Sequence, residues 1–276
     1  MAKKTKIMLV TGASDGIGKA TALELARRGA LVILHGRSLE RLEQTQEEIA
    51  SQVPGAQTEI VLADLASLEQ VRGLALEVEA RFDRLDVLIH NAGVFMKERQ
   101  LSADGFEMTL AVNHLAPFLL TWELLPLLEE SAARVVTVSS VAHRRGQIDF
   151  DDLNAEKSFD GYRAYAQSKL ANILFANELA AITAGKMTSN SLHPGVITTK
   201  LLKAGFDTTG ADPASGAATS VYLATSPEVE KISGKYFSDS RLAPLAPQAL
   251  DLAAQKKLWE ISENWTRWQD QKQENS

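Results

Sequence analysis

Tyr165 and Lys169 stand four residues apart in Y-A-Q-S-K, within a stretch of helical periodicity, so both side chains fall on one helix face. An ammonium beside a phenol favours the phenolate. At about 4 Å and an effective dielectric near 20 the attraction reaches ~4 kcal/mol, roughly three pK units off a tyrosine value near 10. A phenol tuned in this way exchanges a proton with an alcohol or a carbonyl oxygen near neutral pH. The pair alone is weak, because exposed helices carry Tyr and Lys at this spacing for packing and solubility. Ser139-Ser140, directly after the apolar run 135–138, and Asn91-Ala92-Gly93, after the run 87–89, bring further polar groups to the ends of expected strands.

A second constellation lies near the N-terminus, where T-G-A-S-D-G-I-G occupies residues 11–18 between the apolar run 7–10 and a helical pattern. Gly12, Gly16 and Gly18 permit positive φ and the close approach of a pyrophosphate to a helix N-terminus. This spacing differs from G-x-G-x-x-G, but the placement between strand and helix is the context a dinucleotide loop requires. About 20 residues on, an NAD site would offer Asp or Glu to the ribose hydroxyls. Here the second strand ends His35-Gly36-Arg37. A guanidinium suits a 2′-phosphate, so NADP(H) is expected over NAD(H). The alternative is that Arg37 is a solvated loop arginine beside Ser38. Asp64-Leu65, after the third strand, either flanks an adenine ring or, for Asp64, caps the next helix.

These residues require elements to position them, and the chain alternates short apolar runs with longer amphipathic segments, as the strands and crossover helices of a parallel sheet do. Strands are expected at 7–10, 31–34, 60–62, 87–89, 135–138 and 189–193. Helices are expected at 16–28 with Gly29 as its stop, from a Ser38 cap to about 50, and at 68–82, 105–128, 162–181 and 213–224. The fold class is therefore α/β: one doubly wound parallel sheet with helices on both faces, in a single domain over residues 1–276. Loops 141–161 and 200–215 would form a substrate rim, and 245–276 a C-terminal tail. Val94, Phe95 and Met96, with Leu201, Leu202 and Phe206, suggest an apolar carbonyl or alcohol of moderate size, or else ordinary core under the loops. His143 in the first loop reads as a second substrate contact or as plain surface. The apolar surplus of Leu115, Phe118, Leu119, Trp122 and Leu125 exceeds one core-facing stripe and suggests a homodimer. Trp259, Trp265 and Trp268 would cover the active site or anchor the tail to its own subunit.

Composition excludes several classes. A net charge of −6 gives no global basic field for nucleic acid, and the absence of cysteine removes disulfides, thiolate metal sites and cysteine nucleophiles. His35, His90, His114, His143 and His193 never pair at metal-ligand spacing, so no metal is expected. Neither G-x-S-x-G nor G-x-x-x-x-G-K-[ST] occurs, which argues against a serine hydrolase and a phosphate-transfer enzyme. No apolar window approaches a secretory or membrane-spanning length, so a cytoplasmic protein without a membrane partner is expected.

Taken in order, the glycine turn, N-A-G, the serine pair, Y-x-x-x-K and H-P-G-V-I-T-T at 193–199 resemble the short-chain dehydrogenase/reductase family over essentially the whole chain. V-S-S-V-A-H, Y-A-Q-S-K-L-A-N and L-W-E-I-S-E are similar to its retinol-dehydrogenase-like branch. The resemblance implies hydride transfer between NADP(H) and an alcohol or carbonyl carbon, with Tyr165 as acid/base. Ser140 would bind the substrate oxygen. Lys169 would bind the nicotinamide ribose and lower the Tyr165 pKa, and Asn113 would support a proton relay, its other reading being a helix kink. Gly12, Ser14, Gly16, Ile17 and Gly18 would carry the pyrophosphate and adenosine. Asp64 and Leu65 would flank adenine, and Asn91, Ala92 and Gly93 the adenosine ribose side. Ile197 would offer backbone to the carboxamide and Thr199 would lie near the phosphates. Ser140 and Tyr165 are 25 residues apart, longer than the family's usual spacing and similar to that branch. The alternative from another class is a non-catalytic NADP(H) sensor or scaffold.

Overall fold

The computed structural model describes residues 5–206 and 208–274, with side chains from 268 onward outside that description. Most buried strands are apolar on both sides, the polar strand at 188–193 excepted, and alternate residues feed two separate cores. Leu9, Ile33, Leu88 and Val135 enter one, while Val10, Val32, Ile89 and Val136 enter the other. The strands and helices that make this arrangement are β1 (Ile7–Val10), α1 (Gly16–Arg27), β2 (Leu31–Gly36), α2 (Leu39–Gln52), β3 (Gln57–Leu62), α3 (Leu68–Arg81) and β4 (Val87–His90). Then follow α4 (Met108–Leu110), a π-helical turn (Ala111–Leu115), α5 (Ala116–Glu123), α6 (Leu125–Glu130), β5 (Arg134–Val138) and a 3-10 turn (Val141–Arg145). The chain continues through α7 (Gly161–Ile182), β6 (Thr188–His193), α8 (Lys200–Gly205), α9 (Pro213–Thr225), β7 (Tyr236–Ser238), β8 (Arg241–Leu242) and α10 (Leu252–Glu274).

The sheet order is β3-β2-β1-β4-β5-β6-β7-β8, parallel throughout except for the last pair. One core is closed by α1, α2 and α9, the other by α3, α5, α7 and α10. The order reverses between β1 and β4, so the glycine turn and the segment after β4 face each other across a crevice at the strands' carboxyl ends. Local signals behave as their chemistry dictates: Ser38 Oγ accepts from Arg41 N at the start of α2, and Gly29 (φ +78°) follows the end of α1.

Several elements differ from the periodicity. The stretch expected as one helix over 105–128 is divided, because the π turn interrupts it and Pro117 cannot donate a helical hydrogen bond. The strand β3 is longer than its apolar run because it is a sheet edge with half its residues exposed. The apolar surplus on α5 is satisfied within the chain: Trp259 of α10 lies 4.8 Å from Phe118 and 6.0 Å from Phe175, ring centroid to ring centroid. The premise for a partner subunit at this helix is thereby removed. Trp265 stacks on Phe106 at 5.0 Å, so these two tryptophans anchor the tail to its own chain, away from the crevice. Trp268's side chain lies outside the described residues. Among the described residues, no helix is long and apolar enough to cross a membrane, and no group of three or more His, Asp or Glu is placed to hold a metal ion.

Candidate active site

A cavity of about 1110 Å³ opens at the carboxyl ends of the strands, and every cofactor-binding residue expected from sequence reaches its wall. The glycine turn is held by contacts that no other residue would permit. Gly12 has φ +69°, and a Cβ there would meet Ala92 Cα at 3.0 Å; a Cβ on Gly18 would meet Gly12 O at 2.1 Å. Asn91 closes the turn from the other side, its Nδ2 donating to Thr11 O at 2.8 Å and Gly12 O at 3.4 Å. Its amide nitrogen therefore holds the turn, while Asn91 itself lines the cavity. Ala92 and Gly93 line the wall beside it.

His35 is a positioning element that sequence reasoning missed. It is fully buried beneath the turn, with Nδ1 accepting from Gly12 N at 3.4 Å and Nε2 facing Ala63 O at 3.2 Å. Burial pushes its pKa down to about 4, so it is neutral at physiological pH and Nε2 carries the hydrogen.

At the far end of the cavity Arg37 is 70% exposed and pairs with Asp64 at 3.7 Å. The helix after β3 is capped by Ser67, not by Asp64, which corrects one of the two readings of that carboxylate; Asp64 Oδ1 instead accepts from Ala66 N. Leu65 is buried on the wall. Arg41 joins Arg37 here, and the signal was legible as a second arginine one helical turn later in R-S-L-E-R. Asp15 binds both Arg41 and Lys200, each at 2.8 Å, and these contacts hold its carboxyl below the usual range, Lys200 most strongly. Thr199 caps α8 and lies against Gly16, 3.3 Å from where a Cβ would stand. The bridge between Ile197 and Ala211 uses Val196 O and Thr198 N, so the backbone groups of Ile197 face away from Ala211, and Ile197 lines the cavity. Ile17 and Ile197 both close over Gly216, where a Cβ would stand 2.9 and 2.8 Å from them.

Of the expected catalytic residues, Ser140, Tyr165 and Lys169 converge on the floor, while Asn113 is fully buried behind it and does not line the cavity. Ser140 follows β5, and its Oγ accepts from Ala142 N at 3.1 Å, while its hydroxyl is a hydrogen-bond partner of Tyr165. Tyr165 and Lys169 sit on α7, with Lys169 Nζ 5.6 Å from the Tyr165 ring centroid and donating to Val138 O at 3.1 Å. Asn113 lies in the π turn, where its Oδ1 accepts from Val94 N and its Nδ2 donates to Val94 O and Ser168 Oγ. Gly93 packs between Asn113 and Lys169.

The electrostatics differ from the expectation drawn from spacing. Tyr165 is pushed up to about 12, chiefly by burial, with the Ser140 hydroxyl as the opposing influence. Burial also brings Lys169 down to about 8. Spacing sets which face two side chains share, whereas desolvation depends on what the fold stacks over them. Phe95 and Phe206 cover Tyr165, with centroids at 5.6 and 6.0 Å. Val94, Met96, Leu201, Leu202 and Phe206 line the cavity, while Phe95 packs in the aromatic cluster behind it. His143 fits neither of its sequence readings: it is fully buried and does not touch the cavity.

Comparison with known proteins agrees with this geometry. Residues 6–209 match the family model described as short chain dehydrogenase. The chain is 44% identical to human retinol dehydrogenase 14, over 94% of this chain and 85% of that protein. Among solved structures, it is similar to a Mycobacterium paratuberculosis protein (33% identity, TM-score 0.78, covering 95% and 93% of the two chains). It is also similar to a Shigella flexneri short chain dehydrogenase solved with NADP (29% identity, TM-score 0.71, covering 86% and 97%). The chain belongs to the short-chain dehydrogenase/reductase family. Within that family it falls in the retinol-dehydrogenase-like branch, and it is an oxidoreductase that uses a nicotinamide cofactor.

Proposed function

We propose that the protein reduces an apolar carbonyl compound with NADPH, and that Tyr165 delivers the proton. The observation that carries this reading is the meeting of Ser140, Tyr165 and Lys169 on the floor of one cavity whose other end holds Arg37 and Arg41. The cavity suits the cofactor: the glycine turn lets phosphates approach backbone, Ile197 presents unpaired backbone, and two arginines stand where a 2′-phosphate would extend. The similar Shigella flexneri enzyme, solved with NADP, supports the choice. When bound, the cofactor supplies the hydride that a carbonyl carbon accepts.

The chain's own residues handle the oxygen. The Ser140 hydroxyl, which partners Tyr165 at rest, orients the carbonyl oxygen toward Tyr165. A phenol near 12 is protonated at neutral pH, so it holds the proton that the reduced oxygen needs. Lys169 keeps N–H groups for the cofactor's ribose, because Val138 O takes only one. Asn113 holds the segment after β4 in register with α7. Tyr162, Phe206, Val94 and Met96 make the reaction chamber apolar, which selects a hydrophobic substrate.

Fluorescence titration with NADPH and NADH, using wild type and Arg37→Ala, Arg41→Ala and the double variant, tests the cofactor assignment. Preference for NADPH by roughly tenfold or more, lost in the double variant, is expected for charge-assisted bonds to a phosphate. Equal binding of the two nucleotides by wild type overturns it. Loss of carbonyl reduction in Tyr165→Phe, with nucleotide binding kept, tests the proton donor.

A further inference from the structure

His143 and Gln248 are accounted for by neither the cofactor site nor the substrate rim, yet both are committed to the segment that carries Ser140. The His143 ring is fully buried, 4.9 Å from the Tyr236 ring, centroid to centroid. Its Nδ1 lies 2.7 Å from Ser140 O, and its Nε2 accepts from Ala246 N at 3.4 Å. A ring that accepts at Nε2 carries its hydrogen on Nδ1, so His143 donates to the backbone carbonyl of Ser140. Gln248 Nε2 lies 3.3, 2.9 and 3.1 Å from the carbonyls of His143, Arg144 and Gly146. Its two hydrogens thus hold the 3-10 turn from behind.

The opposite side of that turn meets the catalytic helix. A Cβ on Gly146 would stand 2.4 Å from Ala166 O, so the turn lies directly on α7 beside Tyr165. The strand side is tied as well, since Ser139 Oγ donates to Lys169 O and Val141 N donates to His193 Nδ1. The turn is therefore clamped between α7 and the C-terminal segment 246–248, which lies beyond the residues matched by the family model.

We infer that His143 and Gln248 are positioning residues that, through the segment 246–248, set the distance between Ser140 and Tyr165. The inference rests on the roles proposed above for those two residues. It assigns the long Ser140-to-Tyr165 insertion a specific task, namely to bring a histidine back under the serine while leaving the cavity wall to Val141, Ala142, Arg144 and Arg145.

The test compares variants that keep one link and break another. His143→Asn retains a donor near the Nδ1 position and loses the acceptor for Ala246 N. His143→Gln reaches toward the Nε2 position and loses the donor to Ser140 O, and Gln248→Glu faces three carbonyls with no donor. With NADPH and 4-nitrobenzaldehyde, kcat is expected to fall about tenfold or more in His143→Gln and Gln248→Glu, with KM for NADPH within about twofold. His143→Asn is expected to keep most of kcat, because the bond to Ser140 survives. Amide exchange across 141–146, read by mass spectrometry, is expected to accelerate about tenfold in Gln248→Ala with no change in the glycine turn. Unchanged protection across 141–146 overturns the inference. Unchanged kcat in His143→Gln and Gln248→Glu, with Tyr165→Phe inactive, also overturns it and leaves the catalytic assignment standing. An active Tyr165→Phe instead removes the catalytic assignment itself and the inference with it.

Discussion

At the scale of single residues, burial outweighs charge at the Tyr165–Lys169 pair, and in the proposed reaction the lysine ammonium offsets part of that cost once the phenolate forms. Tyr165 starts near 12 because its phenolate would be buried under Phe95 and Phe206. As Tyr165 gives up its proton, the negative charge forms within reach of the Lys169 ammonium, 5.6 Å from the ring centroid. At an effective dielectric near 20 that attraction is about 3 kcal/mol, roughly a hundredfold in rate. The sign follows from the depressed lysine: below pH 8 the ammonium is present, and as pH rises through about 8 it is lost. The reductive kcat/KM is therefore expected to fall above pH 8 by up to about two orders of magnitude. A pH profile flat to 9.5 would refute the role given to the lysine charge.

At the scale of elements, the π turn between α4 and α5 places Asn113 where its amide can bridge three segments. It binds both backbone groups of Val94 after β4 and Ser168 on α7. Asn113→Ala leaves the Val94 N–H without its acceptor, at about 1–3 kcal/mol for one buried orphan, and loses two further bonds. We expect a loss of about 2–4 kcal/mol in urea unfolding, with activity reduced. A change below about 0.5 kcal/mol would mean that the bridge does not support the fold. The helix interruption and the bridging asparagine are one feature here, because the π turn that interrupts the helix also aims the amide.

At the scale of the molecule, α10 closes a face that the rest of the chain leaves apolar. Leu258 is fully buried there, and Trp259 sits among Phe118, Trp122 and Phe175. His114, next to Asn113, reaches Ser262 of α10 at 2.8 Å, so the same contact links the tail to the π turn. Leu258→Asp places a carboxylate in this contact and is expected to detach the helix, exposing a contiguous aromatic patch. Light scattering should then report a larger assembly than wild type at equal concentration. An unchanged mass would indicate that the face stays covered without α10.

The sequence alone determined the alternation of strands and helices, the glycine turn, the serine pair and the Tyr–Lys helix, because each depends on spacing within one or two elements. Periodicity is a local property, and so are the caps at Ser38 and Gly29. Contacts between distant segments were not legible in the same way. Nothing near His143 announces Ala246 or Gln248, about a hundred residues away, and nothing near His35 announces that the glycine turn rests on it. The ionisation of Tyr165 belongs to this second group, since desolvation is set by Phe95 and Phe206 arriving from other loops. So does the fate of the apolar surplus on α5, which Trp259 of the same chain covers. Residue type and spacing decide which groups are available; only tertiary packing decides which of them meet, and how much water is left around them.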